Sequence, residues 1–336
     1  MQPSPSLPVV IAHRGASGYR PEHTLASYRL AIEQGADFVE PDLVSTRDGV
    51  LVARHENEIS GTTDIAERKS FAHRRTTKLV GGALVTGWFT EDLSLAELKS
   101  LRAIERLPWL RPANTLYDGE LEVPTFEEIL DLVALEERSR GTAIGVYPET
   151  KHPSYFAGIG LPLEPPLVDT LRRHGLDRPC APVLVQSFEA ASLLRLRSMT
   201  RAPLVQLAGD ATAMAPFAEV AGHADAVGLH KDLVTSAVVA AAHDAGLLVH
   251  AWTLRDENAF LPHDLRRGTD PAGRGAAERE YAKLLDDGVD GIFTDFPDTA
   301  VRALDRWAAE RLPRSALPAG RPGPHRSRGR VVAGAT

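Results

Sequence analysis

Residues 9–55 read VVIAHRGASGYRPEHTLASYRLAIEQGADFVEPDLVSTRDGVLVARH. Three short apolar runs in this segment, at residues 9–12, 38–43 and 50–53, each stop at polar, titratable side chains. Short apolar runs between turn residues are typical of buried strands. Reactive side chains at the points where such strands stop predict an α/β enzyme whose site lies at the C-terminal ends of its strands.

Two carboxylates belong to the second run, Glu40 and Asp42, with Pro41 between them. Side chains two positions apart on a strand point to the same face. Two carboxylates held side by side repel each other unless a proton or a cation lies between them. At neutral pH a hard divalent cation, Ca²⁺ or Mg²⁺, is the partner that oxygen ligands favour. The pair therefore predicts part of a metal site, with Ca²⁺ placed first.

His13 and His55 end the other two runs. An unperturbed imidazole titrates at roughly pH 6.5, so two imidazoles beside one metal suit a general acid and a general base. The pattern does not say which histidine takes which role, and the nucleophile is either water or a neighbouring substrate hydroxyl. Arg14 offers a forked donor for a phosphate oxygen.

Two further residues fall where later runs end. Glu149 adds a third carboxylate on the same rim, and three carboxylates with water and a substrate oxygen complete a site for a hard cation. Gln186 either binds a substrate oxygen or orients the carboxylates, and we favour the orienting role.

Strand and helix patterns alternate along residues 8–311, apart from one segment. Eight strand–helix units predict a (β/α)8 TIM barrel, and the alternative, an open doubly wound sheet, lacks a glycine-rich fingerprint. Residues 56–123 interrupt the alternation and are predicted to form a small insertion subdomain over the mouth of the site. One helix is predicted in it near residues 95–104. Its aromatic residues Trp88, Phe89 and Trp109 either line a substrate pocket or form a small core of the insertion, and we favour the core.

Composition and the chain ends add limits. The chain has 336 residues, 43% of them hydrophobic, and a net charge of -7, which is typical of a soluble globular protein that does not bind nucleic acid by charge. We expect residues 1–7 to be a disordered lead and residues 312–336 a disordered basic tail.

No stretch has the length of an integral membrane segment, and the N-terminus lacks a signal pattern. The sequence as written predicts a cytoplasmic protein; a removed leader or a mis-assigned start would make it secreted or periplasmic.

The motifs resemble those of the glycerophosphodiester phosphodiesterase family. The resemblance implies a metal-dependent hydrolase of the TIM-barrel fold that acts on small-molecule glycerophosphodiesters. Its products would be sn-glycerol 3-phosphate and an alcohol such as choline or ethanolamine, within glycerol and lipid metabolism. The oligomeric state stays open. The matching segments are HRGASG at 13–18, PEHT at 21–24, GAD at 35–37, Glu40 with Asp42, TRDG at 46–49 and His55.

The resemblance also implies roles for later residues. Glu149 and Lys151 match a pair that supplies a metal ligand and a phosphate-contacting lysine, and Trp252 matches a tryptophan against which the alcohol part of the substrate packs. Glu56 is a departure, because the family often has Asp after the second histidine; Glu56 would have to orient His55 with a longer arm. Asp295 also matches the family pattern, or it caps the last helix.

Two other functions fit the same residues. A phospholipase D-like enzyme acting on lysophospholipids would use the same barrel and site. A catalytically inactive barrel would bind phosphorylated ligands without turning them over, but the joint presence of the acidic, basic and imidazole side chains argues against this second alternative.

Overall fold

The apolar runs form strands around a barrel in a computed structural model, which describes residues 7–178 and 180–311. The strands are β1 (Val9–His13), β2 (Phe38–Glu40), β3 (Asp42–Ser45), β4 (Leu51–Ala53), β5 (Thr76–Val80), β6 (Ala83–Gly87), β7 (Gly145–Val146), β8 (Glu149–Thr150), β9 (Val185–Ser187), β10 (Leu204–Ala208), β11 (Ala226–His230), β12 (Leu248–Leu254) and β13 (Gly291–Thr294). The helices are α1 (Leu25–Glu33), α2 (Leu95–Lys99), α3 (Phe126–Arg140), α4 (Pro153–Gly158), α5 (Glu164–Arg173), α6 (Ala190–Arg197), α7 (Phe217–Val220), α8 (Ser236–Asp244), α9 (Ala277–Asp286) and α10 (Pro297–Arg311).

The barrel closes through parallel pairing of the first and last strands, β1 and β13. Pro41 interrupts one strand of the ring, so β2 and β3 are two halves of a single strand. Strands β7 and β8 are likewise two halves of one strand. The remaining pairs run β1–β2, β2–β7, β3–β8, β8–β9 and then in order to β13, all parallel. The ring therefore has eight strands, as the sequence predicts, and β4 is added to β3 as an antiparallel extension.

Strand alternation decides which side chains face the inside of the barrel. On β1, Val10 and Ala12 pack outward against helices, whereas Ile11 lies in the interior cluster with Tyr147 and Phe293. Because side chains alternate along a strand, His13 faces the same way as Ile11, at the C-terminal end. The sequence pattern of β1 thus delivers an imidazole to the inside of the barrel mouth.

Helix boundaries follow local capping chemistry. Thr24 accepts the backbone N–H of Ser27 at 3.1 Å and caps α1, and Gly35 follows the helix with a positive φ of 91°. Helix α7 begins only at Phe217, because Pro216 precedes it as the N-cap.

The insertion differs from its prediction in three respects. Its helix α2 ends at Lys99 instead of near Ile104, because the residues that follow are hydrogen-bonded to distant segments of the chain. The Asp64 N–H, for example, donates to the Arg102 carbonyl at 2.9 Å. Phe89 is buried as predicted for a small core, but Trp109 is 69% exposed and does not belong to one. The hairpin β5–β6 was also not predicted.

The predicted disordered lead, apart from Leu7, and the predicted basic tail at 312–336 lie outside the described residues. Within the described ranges, no helix is both long enough and apolar enough to pass through a membrane.

Candidate active site

The C-terminal ends of the barrel strands form a rim around one cavity of about 200 Å³. This volume lies below the roughly 300–1,000 Å³ of sites for drug-sized ligands, so the cavity suits a small polar molecule. A larger cavity, of about 490 Å³, lies between α9 and α10, where arginines such as Arg306 are already paired with acids such as Glu278. The structure brings all nine residues singled out in the sequence to the rim cavity: His13, Arg14, Glu40, Asp42, His55, Glu149, Lys151, Gln186 and Trp252.

Three buried carboxylates meet at the centre of the rim. Glu40, Asp42 and Glu149 each place an oxygen within 4.8 Å of the others, and none is more than 5% exposed. Strand pairing causes this, because Asp42 lies directly opposite Glu149 in the register of β3 and β8. Three oxygen donors so close together, shielded from water, form a donor set that fits a hard divalent cation.

The protonation of the three acids reflects their crowding. Burial, with the charges of Asp42 and Glu149, raises the pKa of Glu40 well above its ordinary value. Burial also raises the pKa of Glu149 to about 8, although Lys151 opposes the shift. Burial acts on Asp42 in the same direction, but Lys151 and His23 outweigh it and hold the pKa of Asp42 well below its usual range. Without a cation, the group therefore retains protons at neutral pH.

Neighbouring groups aim these carboxylates. Gln186 donates its side-chain amide to Glu40 at 3.0 Å, and the backbone N–H of Arg14 donates to the other Glu40 oxygen at 2.9 Å. His23 lies 2.9 Å from Asp42 through Nε2 and 2.7 Å from the Tyr28 hydroxyl through Nδ1. The position of Gln186 matches the orienting role that the sequence favoured.

Two cationic side chains flank the acids. The Nζ of Lys151 lies 2.8 Å from Glu149 and 3.9 Å from Asp42. The guanidinium of Arg14 lies 3.3 Å from Asp42 and 3.1 Å from Glu22. Both cations are largely buried, so a phosphate that enters the cavity meets positive charge in a poorly solvated place, where electrostatic attraction is strong.

Each predicted imidazole has a carboxylate at Nδ1. His13 Nδ1 lies 2.6 Å from Asp295, and His55 Nδ1 makes a short hydrogen bond to Glu56. A carboxylate at this position favours the tautomer with the proton on Nδ1 and leaves the Nε2 lone pair free. Neither Nε2 atom has a hydrogen-bond partner among residues 7–178 and 180–311. Glu56 thus orients His55 with its longer arm.

The free imidazoles are neutral at physiological pH. Burial, together with the charge of Arg14, lowers the pKa of His13 to about 3, with Asp295 opposing the shift. Burial, Arg14 and Lys151 lower the pKa of His55 to about 4. A neutral imidazole with a free Nε2 can accept a proton from a nucleophile.

Asp295 has a larger part in the site than sequence reasoning gave it. Its side chain contacts His13 and also accepts hydrogen bonds from Arg111 at 2.6 Å and Arg255 at 2.7 Å. These contacts replace the helix-capping alternative. Its place at the end of the last strand was a usable signal, since such positions gather at the rim. Arg111 belongs to the irregular insertion, where no periodic pattern points to the site.

Trp252 forms one wall of the cavity. Its ring makes edge-on contacts with Phe188, at 5.6 Å between ring centroids, and with His230, at 5.2 Å. Phe188 is 44% exposed, so this aromatic wall extends from the cavity to the surface. The wall is the apolar side of an otherwise charged site.

A closed barrel of eight parallel strands with its titratable residues gathered at one rim defines a (β/α)8-barrel enzyme. The chain belongs to the glycerophosphoryl diester phosphodiesterase family, whose sequence model matches residues 13–299. The resemblance recognised in the sequence is therefore confirmed, and so is the class of phosphodiester hydrolase.

Individual relatives agree with this assignment. A glycerophosphodiester phosphodiesterase from Arabidopsis thaliana is 35% identical, over 87% of this chain and 84% of the relative. One from Haemophilus influenzae is 29% identical, over 88% of this chain and 89% of the relative. Among solved structures, an Oleispira antarctica phosphodiesterase in complex with the product sn-glycerol-3-phosphate matches with a TM-score of 0.65 and 24% identity, over 89% of this chain and 97% of that chain. This last likeness supports the barrel fold.

Proposed function

We propose that this chain hydrolyses glycerophosphodiesters to sn-glycerol 3-phosphate and an alcohol. The observation that carries the proposal is that three buried carboxylates, two cationic side chains and two imidazoles meet around one small cavity. In both imidazoles the Nε2 atom has no hydrogen-bond partner among the described residues. The family supplies the substrate class, and the Oleispira relative was solved with the corresponding product. The volume of the cavity favours a short, deacylated diester over a lipid with a long chain.

Glu40, Asp42 and Glu149 would hold one divalent cation, Ca²⁺ or Mg²⁺, with Ca²⁺ placed first because it tolerates irregular oxygen geometry. When bound, such a cation polarises a phosphoryl oxygen and offsets negative charge in the transition state. Gln186 and the Arg14 backbone keep Glu40 pointing into the cavity. Lys151 and the Arg14 guanidinium bind the remaining phosphate oxygens.

The two imidazoles carry out the proton transfers of the reaction. One Nε2 takes a proton from the nucleophile oxygen as that oxygen forms a bond to phosphorus. The bond from phosphorus to the alcohol oxygen breaks, and the other imidazole delivers a proton to the departing alkoxide. Both imidazoles are neutral in the free protein, so the one that acts as acid has to gain its proton once the anionic substrate is bound. Trp252 would pack against the alcohol part of the diester.

Turnover of a substrate panel tests the proposal. Chelator-treated protein is supplied with Ca²⁺ or Mg²⁺ and assayed on glycerophosphocholine, glycerophosphoethanolamine and a long-chain lysophospholipid, with products followed by phosphorus NMR. We expect sn-glycerol 3-phosphate from the soluble diesters only when a cation is present. Turnover of the lysophospholipid alone would favour the phospholipase D-like alternative, and binding without turnover would favour the inactive barrel.

A further inference from the structure

One turn of the insertion reaches both imidazole–carboxylate pairs. Arg106 and Arg111 lie five positions apart, and between them the Leu107 carbonyl accepts the N–H groups of Leu110, at 2.9 Å, and Arg111, at 2.8 Å. These bonds fold residues 105–111 into a compact segment, here called the arginine turn. Its two guanidinium groups extend to different sides of the rim.

Arg111 holds the carboxylate behind His13. It donates to Asp295 at 2.6 Å, to Glu257 at 2.7 Å and to the Ser17 carbonyl at 3.0 Å. The Ser17 hydroxyl in turn donates to the His13 carbonyl at 2.9 Å. Arg111 is only 7% exposed, so three directed bonds fix it in place. The guanidinium therefore joins Asp295 to the loop that follows His13.

Arg106 holds the carboxylate behind His55. It donates to Glu56 at 3.1 and 2.7 Å and to Glu22 at 2.8 and 2.7 Å. Glu22 also pairs with Arg14 at 3.1 Å. The Arg106 guanidinium thus links Glu56, the partner of His55, to Glu22, the partner of Arg14. It does so in a planar geometry that a lysine ammonium does not reproduce.

The arginine turn is itself fixed to the barrel and to the rest of the insertion. The backbone N–H of Glu105 donates to Asp118 at 2.7 Å, and the Glu105 carboxylate accepts from Asn114 at 2.8 Å. Asn114 donates also to the Ser17 carbonyl, at 3.2 Å. A segment tied at both ends can hold two side chains in a constant position with little loss of entropy when substrate binds.

We propose that the arginine turn positions both imidazoles, Arg111 through Asp295 and His13, and Arg106 through Glu56 and His55. The inference rests on the proposed function, since it assigns the turn a part in the same reaction. Neither arginine lines the rim cavity, so both are positioning residues that act through the carboxylates. The insertion thereby does more than cover the mouth of the barrel: it completes the hydrogen-bond shell of the site.

Three variants test the role of the turn, with NMR of nitrogen-labelled histidine as a readout that needs no substrate. The variants are Arg106→Met, Arg111→Met combined with Glu257→Gln to avoid a buried unpaired charge, and the control Arg102→Met. Arg102 belongs to the insertion, and its side chain is 30% exposed, close to the 26% of Arg106. Among the described residues that side chain bonds to the Lys99 and Leu101 carbonyls and, at 3.8 Å, pairs with Glu122, so it does not reach the site. We expect the first two to lose the Nδ1–H tautomer of His55 and His13, respectively, and the control to keep both.

Kinetics separates positioning from general stability. We expect kcat to fall about 10- to 100-fold in the double variant, by analogy with the loss of an outer partner of a metal-ligating histidine, with KM nearly unchanged. Arg106→Met should lower kcat similarly and raise KM as well, because Glu22, the carboxylate that pairs with Arg14, loses its bonds to Arg106 and is held less firmly. Wild-type tautomers and wild-type kcat in folded variants would overturn the inference. Altered tautomers in a protein whose wild type cleaves no glycerophosphodiester would instead overturn the proposed function and leave the positioning intact.

Discussion

The two imidazoles of the site have the same local chemistry but different surroundings. The His13 arm (His13, Asp295, Arg111 and Arg255) is buried, with the Asp295 side chain 3% exposed and bound by two arginines. The His55 arm (His55, Glu56 and Arg106) lies at the edge, with the Glu56 side chain 37% exposed and bound by one arginine. Both imidazoles face the same cavity.

This difference shows that one fold can fix two similar imidazole–carboxylate pairs to different degrees. Burial alone would raise the pKa of Asp295, but Arg255 and Arg111 hold it well below the ordinary value, so its charge is fixed in a place that water does not reach. Glu56 has solvent as a second source of stabilisation. Loss of the carboxylate should therefore cost more on the His13 arm, because nothing there can replace it.

Removal of either imidazole should have the largest effect. We predict that His13→Ala and His55→Ala each lower kcat for glycerophosphocholine by about 10²–10⁴-fold, because each deletes one proton-transfer group. Circular dichroism should show an intact fold in both. A near-wild-type rate in either variant would mean that the two arms are not an acid–base pair.

Replacement of the carboxylates by amides sharpens the comparison. Asp295→Asn should lower kcat about 100-fold, and Glu56→Gln about tenfold, because the buried arm depends more on its charge. The exposed Asp169→Asn on helix α5 is a matched control and should have no effect. Equal losses, or a larger loss in Glu56→Gln, would show that exposure does not set the importance of the arms.

The pH dependence of the free energy of unfolding should show a smaller effect than these substitutions have on kcat. The unfolded imidazoles take up protons near pH 6.5, whereas native His13 and His55 stay neutral down to about pH 3 and 4. The unfolded state therefore binds more protons between pH 6.5 and 4, and stability falls as the pH falls, by roughly 1.4 kcal/mol per pH unit for each buried histidine. Partial exposure reduces the share of His55.

Urea unfolding at several pH values in that window measures this loss. We predict a flatter dependence in His13→Gln than in His55→Gln, both without divalent cations. Identical slopes in the wild type and both variants would contradict the buried, neutral state of the imidazoles.

The barrel and the centre of the site could be predicted because they depend on local patterns. Apolar runs mark the strands, and polar residues at their ends must gather on one rim, which is how Glu40, Asp42 and Glu149 were found to belong together. Arg106 and Arg111 could not be found in this way. They reach the site from an irregular segment, and their partners Glu56 and Asp295 are brought near only by tertiary packing.

The end of helix α2 and the exposure of Trp109 were mispredicted for two different physical reasons. Hydrogen bonds to distant chain segments, such as that from Asp64 to the Arg102 carbonyl, override local helix propensity in the insertion. Aromatic character alone does not decide burial in a segment without a regular core, as Trp109 shows.

Calorimetric titration of the chelator-treated protein with Ca²⁺ and with Mg²⁺ tests the cation site most directly. We predict one cation per chain, with protons released at pH 7 because Glu40 and Glu149 must give up theirs, so that the heat varies with the buffer. Glu40→Gln and Glu149→Gln should abolish this binding, and the exposed control Glu120→Gln should retain it. Wild-type binding in Glu40→Gln and Glu149→Gln, or no binding to the wild type, would contradict the central claim that these acids share one ion.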